Sequence, residues 1–150
     1  MKKAFTLIDL IFIIVIIGIL SAVAVPRLAA TRDDALIAKN SEYIIAIMNE
    51  ISSYIIANGD SKDNLTEMSS ILERLHLQNR VLVNIVNKSA TVQIGEDQSC
   101  ITVDLNTSTT TETLSTSFPS STSDRICKMV QSFIKEKDYP LIVRGKLIRY

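Results

Sequence analysis

The chain has 150 residues, enough for one modest domain, and its 16 basic residues balance its 16 acidic residues. A net charge of zero argues against a dedicated nucleic-acid-binding protein, which usually carries a basic excess. The balance conceals an asymmetry. Residues 28–124 contain six basic and 13 acidic residues, whereas residues 125–150 contain seven basic and two acidic residues. The C-terminal end is therefore a basic region on an otherwise acidic domain.

The first element of the chain is an apolar segment, residues 5–25, that contains one carboxylate, that of Asp9. As a helix it would span about 30 Å, the thickness of the hydrocarbon core of a bilayer. Lys2 and Lys3 precede it, which predicts a single membrane span with the N-terminus in the cytoplasm and the remainder exported. Ionisable residues inside such a span are costly to insert and usually functional.

Two simpler interpretations of this segment are a cleaved signal peptide and an uncleaved anchor. Ala22-Val23-Ala24 provides the small-x-small pattern of a signal-peptide cleavage site. The apolar core, however, is longer than the roughly 7–15 residues of a signal peptide. It also contains Asp9, and its helical pattern continues beyond Ala24. A signal peptide has no use for a charge at this position.

The start of the chain resembles the N-terminus of type IV pilins and of the pseudopilins of type II secretion systems. The residues that carry this resemblance are Ala4-Phe5-Thr6-Leu7-Ile8-Asp9, Ile16-Ile17-Gly18-Ile19-Leu20 and Ala22-Val23-Ala24-Val25-Pro26. The family usually has Gly where this chain has Ala4, and Glu where it has Asp9. The resemblance covers about the first 30 residues, and it implies little about the rest because the C-terminal domains of the family vary widely.

The resemblance implies a processing site and an assembly site. A prepilin peptidase would remove the basic leader, residues 1–4, by cleavage between Ala4 and Phe5, and the new Phe5 amine would then be methylated. Asp9, at the fifth mature position, would support assembly. Its carboxylate could pair with the Phe5 amine of its own helix or with that of a neighbouring subunit, and the family resemblance favours the neighbour. Gly18 and Pro26 fall where the family loosens or kinks its helix.

The helical pattern continues beyond the apolar segment and predicts one helix over residues 5–58. Asn58-Gly59 is a helix stop signal. Apolar residues at helical spacing predict a buried face made of Ile44, Ile47, Met48, Ile51 and Ile55. Asn64 and Glu67 fit a capping box and predict a second, short helix from there to about Leu77.

Alternating apolar residues then predict an antiparallel meander with one face on the long helix. The alternating residues are Val81, Val83 and Ile85, then Val92 and Ile94, then Ile101, Val103 and Leu105. The Ser/Thr-rich stretch from Thr107 to Ser123 is either one further strand, Thr109 to Ser117, with a loop around Pro119, or a flexible loop. Within this region, Asp104-Leu105-Asn106-Thr107-Ser108 resembles the acid-preceded N-glycosylation site of some bacteria.

The last two elements are a helix and a strand. Ser123 or Asp124 caps the helix, whose predicted apolar stripe is Ile126, Met129, Val130, Phe133 and Ile134 and whose end is Asp138-Tyr139-Pro140. The strand covers residues 141–148. Arg144, Lys146 and Arg149 make its exposed part basic, either to protect a sheet edge from aggregation or to contact the phosphates of DNA.

The two cysteines, Cys100 and Cys127, are an even number in a chain that the first segment directs to export. A disulfide between them is therefore expected, although two buried free thiols are the alternative. In a regular strand Cys100 would point away from the core face, which counts slightly against the bridge.

The sequence thus predicts an α+β fold: a leader (1–4), a long N-terminal helix (5–58, of which 5–25 spans the membrane) and a periplasmic head (59–150). It contains no phosphate-binding loop, no nucleophile–histidine set and no metal-ligand cluster, so no enzyme activity, cofactor or metal is expected. Asp60, Asp63, Glu96 and Asp97 lack the dense alternation of a calcium loop.

The functional expectation is a pilin-like subunit of a type II secretion pseudopilus that drives protein export from the bacterial inner membrane. The expected partners are other pilin-like subunits, the inner membrane and the prepilin peptidase. One alternative is a type IV pilus or DNA-uptake pseudopilin, whose basic residues at the C-terminal end would meet DNA. The other alternative is a membrane-anchored binding module that does not assemble.

Overall fold

A computed structural model describes residues 6–108, 111–118, 122–134 and 140–145. The fold is α+β, as predicted: a long N-terminal helix, a small antiparallel sheet and two further α-helices. The chain divides into two compact units, residues 1–36 and residues 37–150. The first helix, α1, runs from Leu7 to Asn58 and contributes to both units.

Within the first unit, α1 is apolar all round its circumference over residues 10–26. Its large apolar side chains are exposed: Leu7, Ile8, Leu10, Ile11, Phe12, Ile13, Ile14, Val15, Ile16, Ile17, Ile19, Leu20, Val23, Val25 and Leu28. The most apolar 18-residue window of α1 has a mean hydropathy of 3.0 and contains no buried residue. By length and composition, α1 is therefore able to cross a membrane, consistent with a single-pass anchor.

In the second unit α1 has one buried face, and the predicted face is confirmed. Ile44, Ile47, Met48, Ile51 and Ile55 are each at most 1% exposed. The helix ends at Asn58, and Gly59 follows with a φ of +72°, the left-handed conformation in which glycine costs least. The Gly59 N–H donates to the carbonyl of Ile55 (2.8 Å), which closes the last turn.

The single short helix predicted to start at Asn64 is wrong. Asn64 caps only a 3₁₀ turn, Leu65–Glu67, and α2 runs separately from Ser70 to Leu77 with Ser69 as its cap. Ser69 has an extended backbone (φ −141°, ψ 117°), which interrupts the helical path. The Glu50 carboxylate on α1 explains this break, because it accepts hydrogen bonds from the Ser69 hydroxyl and the Ile71 N–H at the start of α2.

The sheet is the predicted antiparallel meander. Its five strands lie in sequence order: β1 (Val81–Asn84), β2 (Ser89–Ile94), β3 (Asp97–Thr107), β4 (Thr111–Ser117) and β5 (Leu141–Gly145). The Ser/Thr-rich stretch thus contributes a strand, β4, as the first of its two interpretations has it. Alternate residues of each strand face the core, among them Ile94, Ile101, Val103 and Leu114, which are all fully buried. Ile85 does not continue β1, but lies in the turn after it and is exposed.

The predicted outward direction of Cys100 is wrong, because β3 is irregular at this point. Val92 pairs with Ile101 and Ile94 pairs with Asp97, so β3 contains two more residues than β2 between these pairs. As a consequence, Cys100 and Ile101 are both completely buried although they are adjacent in sequence.

The final helix, α3, covers Arg125–Phe133, and the predicted apolar stripe is confirmed only in part: Val130 and Ile134 are buried and Ile126 packs against the core. Its buried residues are Cys127 and Val130, followed by Ile134 just beyond the helix end. Met129 and Phe133, which the apolar stripe placed in the core, are 40% and 65% exposed. Cys127 sets this rotation, because its side chain bonds to a buried strand residue. The predicted helix end at Asp138-Tyr139-Pro140 is wrong, because α3 ends at Phe133 and its C-cap, Ile134, has an extended backbone. The loop residue Pro119 lies outside the described residues.

Candidate assembly site

The N-terminal turn of α1 holds the Asp9 carboxylate in place through Thr6. Oδ2 of Asp9 accepts a hydrogen bond from the Thr6 backbone N–H (3.1 Å) and a second one from the Thr6 hydroxyl. In return, the Asp9 N–H lies 3.1 Å from the Thr6 carbonyl oxygen and 3.4 Å from the Thr6 hydroxyl oxygen. Thr6 is thus the cap of α1, and Asp9 is the third residue of the helix.

This arrangement is a capping box, and the sequence analysis missed it. The pattern that could have revealed it is Thr6-Leu7-Ile8-Asp9, a threonine followed three positions later by an acid and then by an apolar run. A negative charge at this position also complements the positive end of the helix dipole. Asp9 therefore has a local role in starting the helix, besides any role between subunits.

The two carboxylate oxygens of Asp9 are not equivalent. Both hydrogen bonds from Thr6 go to Oδ2. Within the part of the chain that the structure describes, Oδ1 accepts no hydrogen bond. One oxygen therefore orients the group, while the other retains its capacity to accept a donor from outside the helix.

The structure describes two of the four other residues predicted to be functional in the N-terminal segment. Ala4 and Phe5, the residues of the predicted cleavage and methylation site, lie outside the described residues. Gly18 and Pro26 both lie within α1, which is assigned as helix through both positions. A Cβ added at Gly18 would meet no atom within 4 Å, so space within the described chain does not require glycine there.

A disulfide joins Cys100 on β3 to Cys127 on α3. Their Cα atoms are 5.7 Å apart and their positions differ by 27 residues. Gln131 adds a second link between the same elements, because its Nε2 donates to the Cys100 carbonyl oxygen (2.8 Å). The bridge fixes α3 on the sheet and is wholly enclosed by the core.

Asp124 caps the N-terminal end of α3. Its Oδ1 accepts from the Cys127 N–H (2.8 Å), and its Oδ2 accepts from the Glu96 N–H (3.1 Å) in the turn between β2 and β3. The hydrogen bond from Cys127, supported by the one from Glu96, holds the pKa of Asp124 below its usual value, although burial and the charge of Asp97 oppose this. Hydrogen bonds from the Thr122 hydroxyl and the Ser99 N–H likewise lower the pKa of Asp97.

Two polar contacts fix the second half of α1 to the head. Glu50 accepts from the Ser69 hydroxyl (2.6 Å), the Ser70 hydroxyl (3.1 Å) and the Ile71 N–H (3.2 Å). Burial raises the pKa of Glu50, but these hydrogen bonds outweigh burial and leave it below its usual value. Arg80 donates to the Asn40 side-chain oxygen (3.1 Å), and Asn40 is only 6% exposed.

The predicted basic surface of the last strand is described only at Arg144. Its Nη1 donates to the Gly59 carbonyl oxygen (2.6 Å) and to Asp60 Oδ1 (2.9 Å), so it ties β5 to the end of α1. Lys146 and Arg149 lie outside the described residues. Over the described parts of the chain, no group of three or more potential ligands could hold a metal ion.

Comparisons of this chain with protein-family models, with curated proteins and with solved structures find no match.

Proposed function

We propose that this chain is a pilin-like structural subunit, a pseudopilin of a type II secretion system. It is anchored in the bacterial inner membrane with its head in the periplasm, and it assembles through its N-terminal helix into a short filament that drives protein export. Its role is mechanical rather than catalytic. The observation that carries the proposal is one carboxylate, Asp9, in the first turn of a helix whose next 17 residues, 10–26, carry no charge.

The apolar surface of the first unit supports this proposal. A helix that is apolar all round is stable only in lipid or against other apolar surfaces. Ile13, Ile16 and Leu20 are 41%, 41% and 64% exposed, and their neighbours are similar. A membrane would cover this surface before assembly, and the same helices of other subunits would cover it in a filament.

The Asp9 carboxylate, next to this apolar surface, is unfavourable in lipid. An ionised group in the apolar region is unfavourable unless a partner of opposite charge accompanies it. The amine that cleavage would create at Phe5 is such a partner on a neighbouring subunit. Thr6 holds Oδ2 of Asp9, and Oδ1 remains to receive the amine. Pairing of this kind would set the axial register between adjacent helices.

The proposal is tested by crosslinking inside the membrane-spanning segment. A photoreactive benzoylphenylalanine in place of Ile13 reports whether the N-terminal helices of two subunits are in contact. We expect crosslinked dimers and higher multimers when the chain is expressed with its secretion system. The matched control carries the same probe together with Asp9→Ala, at equal abundance in the membrane, and should remain monomeric.

Two outcomes contradict the proposal. A chain with the probe that stays monomeric in the presence of the complete system is a membrane-anchored module that does not assemble. Equal crosslinking with and without Asp9 means that the helices associate for another reason. The intact mass of the membrane-extracted protein provides the second test, because the proposal requires a mature chain that starts at Phe5 with one added methyl group.

A further inference from the structure

We propose that Asn106 is an N-glycosylation site, with a polyprenyl-pyrophosphate-linked oligosaccharide as the sugar donor. The site is the sequence Asp104-Leu105-Asn106-Thr107-Ser108. The proposal rests on the export of the head that the proposed function includes, but not on assembly. The function proposed above makes no use of this motif, and its position in the fold suits a modification.

Asn106 lies where an enzyme can reach it. It is exposed and is the second-last residue of β3. Thr107 and Ser108 are exposed as well. The nearest polar contact of the Asn106 amide nitrogen is the Ser115 hydroxyl at 3.4 Å, a long hydrogen bond that is easily given up. The acceptor nitrogen is thus available without opening the core.

The acid and the acceptor lie on the same face of the sheet. Val103 and Leu105 point into the core, so the residues at alternate positions, Asp104 and Asn106, point outward. Asp104 accepts a hydrogen bond from the Ser117 hydroxyl (2.8 Å) and forms no salt bridge with any of the described residues. A transferase that requires an acid two positions before the acceptor would meet both groups together.

Two other asparagines of the chain begin an Asn-x-Ser/Thr sequence and serve as internal comparisons. Asn64 is half-buried, and its side-chain oxygen caps the Thr66 N–H (3.1 Å). Asn87 is exposed in the turn between β1 and β2, so it is as accessible as Asn106. Neither has an acid two positions earlier, since Lys62 and Ile85 occupy those positions. Asn87 therefore separates the effect of accessibility from that of the acid.

The transfer of the oligosaccharide is a nucleophilic substitution at the first carbon of the sugar. The Asn106 Nδ2 forms a bond to C1 of the sugar, and the bond from C1 to the pyrophosphate oxygen breaks. Polyprenyl pyrophosphate leaves with the electron pair of that bond, and the amide nitrogen loses one proton. No oxidant or reductant takes part. The hydrophilic glycan would then cover the outward face of the sheet near the end of β3.

The test expresses the full chain in a bacterium that carries an acid-requiring oligosaccharyltransferase and its lipid-linked oligosaccharide. After reduction, trypsin separates the three asparagines, because cleavage after Lys62, Arg74, Arg80, Lys88 and Arg125 places each in its own peptide. We expect the glycan on the Asn106 peptide alone. Asp104→Asn should lower occupancy by about tenfold or more, as loss of one charge-assisted contact predicts. Asn87→Gln should leave occupancy unchanged.

Three results would overturn the inference: an unmodified Asn106 beside a glycosylated control protein in the same cells, glycan on Asn87 instead, or full occupancy in Asp104→Asn. Protease added to spheroplasts distinguishes the causes of a negative result. A protected head shows that export has failed, and the proposed function then fails too. A digested but unmodified head overturns the glycosylation alone. Glycan on a chain that does not crosslink through position 13 supports this inference and contradicts assembly.

Discussion

Thr6 and Asp9 form a reciprocal pair at the start of α1, in which both Thr6 donors converge on one oxygen of the Asp9 carboxylate. This relationship gives Asp9 two separable functions. The side-chain oxygen accepts the Thr6 donors of the capping box, for which a neutral amide oxygen is also adequate. The charge attracts a cation, for which only an ionised group serves. Substitutions at this position can therefore tell the two functions apart.

The first prediction compares three substitutions of Asp9. Asp9→Ala removes cap and charge, Asp9→Asn retains an acceptor for Thr6 but removes the charge, and Asp9→Glu retains the charge. We expect both uncharged variants to insert in the membrane at parental levels and to lose the crosslinked multimers, while Asp9→Glu retains them. Immunoblots of membrane fractions and of sheared filaments measure both quantities. Parental assembly by Asp9→Asn would show that the cap, not the charge, is what matters.

The second prediction concerns Thr6 as a positioning residue. Thr6→Val keeps the shape and removes the hydroxyl that donates to Asp9, whereas Thr6→Ser keeps the hydroxyl. We expect Thr6→Val to weaken assembly and to leave membrane insertion unchanged, and Thr6→Ser to behave like the parent. Capping contributions are typically about 0.5–2 kcal/mol, so the loss should be partial. The photocrosslink yield at position 13 measures it, and equal yields in all three chains would remove Thr6 from the assembly site.

The third prediction concerns the disulfide. Replacing Cys100 and Cys127 together by Ala should lower the free energy of unfolding of the head by about 3–4 kcal/mol, because the bridge restricts the unfolded chain. Alanine avoids burying two hydroxyl groups in the core. Urea unfolding of the full chain in a mild detergent measures the change through the fluorescence of Tyr43 and Tyr54, which pack against the core. A difference below about 1 kcal/mol would mean that the remaining contacts of α3 are sufficient.

The sequence predicted the fold class and the order of the elements because each has a clear local period. The buried face of α1 and the alternation in β2 and β3 are of this kind. The predictions that were wrong depend on contacts between residues that are far apart in sequence. Nothing near Asn64 in sequence reveals that Glu50 binds the start of α2. Likewise, a period of two cannot foresee the bulge that turns Cys100 into the core.

The candidate functional residues likewise include some that the sequence reveals and some that only the structure reveals. The position of the carboxylate in an uncharged run is visible in the sequence, and so is the motif around Asn106. The capping box of Thr6 and Asp9 is also a local pattern, a threonine followed three positions later by an acid. The role of Arg144 required the structure, because its partners Gly59 and Asp60 are far away in sequence.

The fourth prediction concerns Gly95, which has a φ of +65°. A Cβ at this position would lie 2.5 Å from Oδ2 of Asp124, so Gly95→Ala would displace the α3 cap as well as strain the backbone. We expect Gly95→Ala to destabilise the head by about 2–3 kcal/mol, the sum of a left-handed alanine and a lost cap. The double variant with Asp124→Ala should lose less than the two single variants added together, since it has no clash to relieve. Strict additivity in the urea experiment would show that the two residues do not interact.

The fifth prediction concerns pH and follows from the lowered pKa of Asp124. A carboxyl group whose pKa is lower in the folded state than in the unfolded state stabilises the fold fully above its unfolded pKa. That contribution disappears as the pH falls through the lower, folded pKa. The usual value for an aspartate is 3.8. The parent should therefore lose stability on acidification from around pH 5 downward, and Asp124→Asn should lose less.

Asp124→Asn is the closest variant because an asparagine does not titrate in this range and its one amide oxygen still caps the Cys127 N–H, while its amide nitrogen gives up the hydrogen bond from the Glu96 N–H. At neutral pH it should be less stable than the parent by about 1 kcal/mol or less, since Asp124 is partly exposed and near a helix N-terminus. The two curves of unfolding free energy against pH should converge as the pH falls below 4. Asp97 and Glu50 also have lowered pKa values, so both chains retain some acid sensitivity. Parallel curves over this range would show that the hydrogen bonds from Cys127 and Glu96 do not depend on the charge of Asp124.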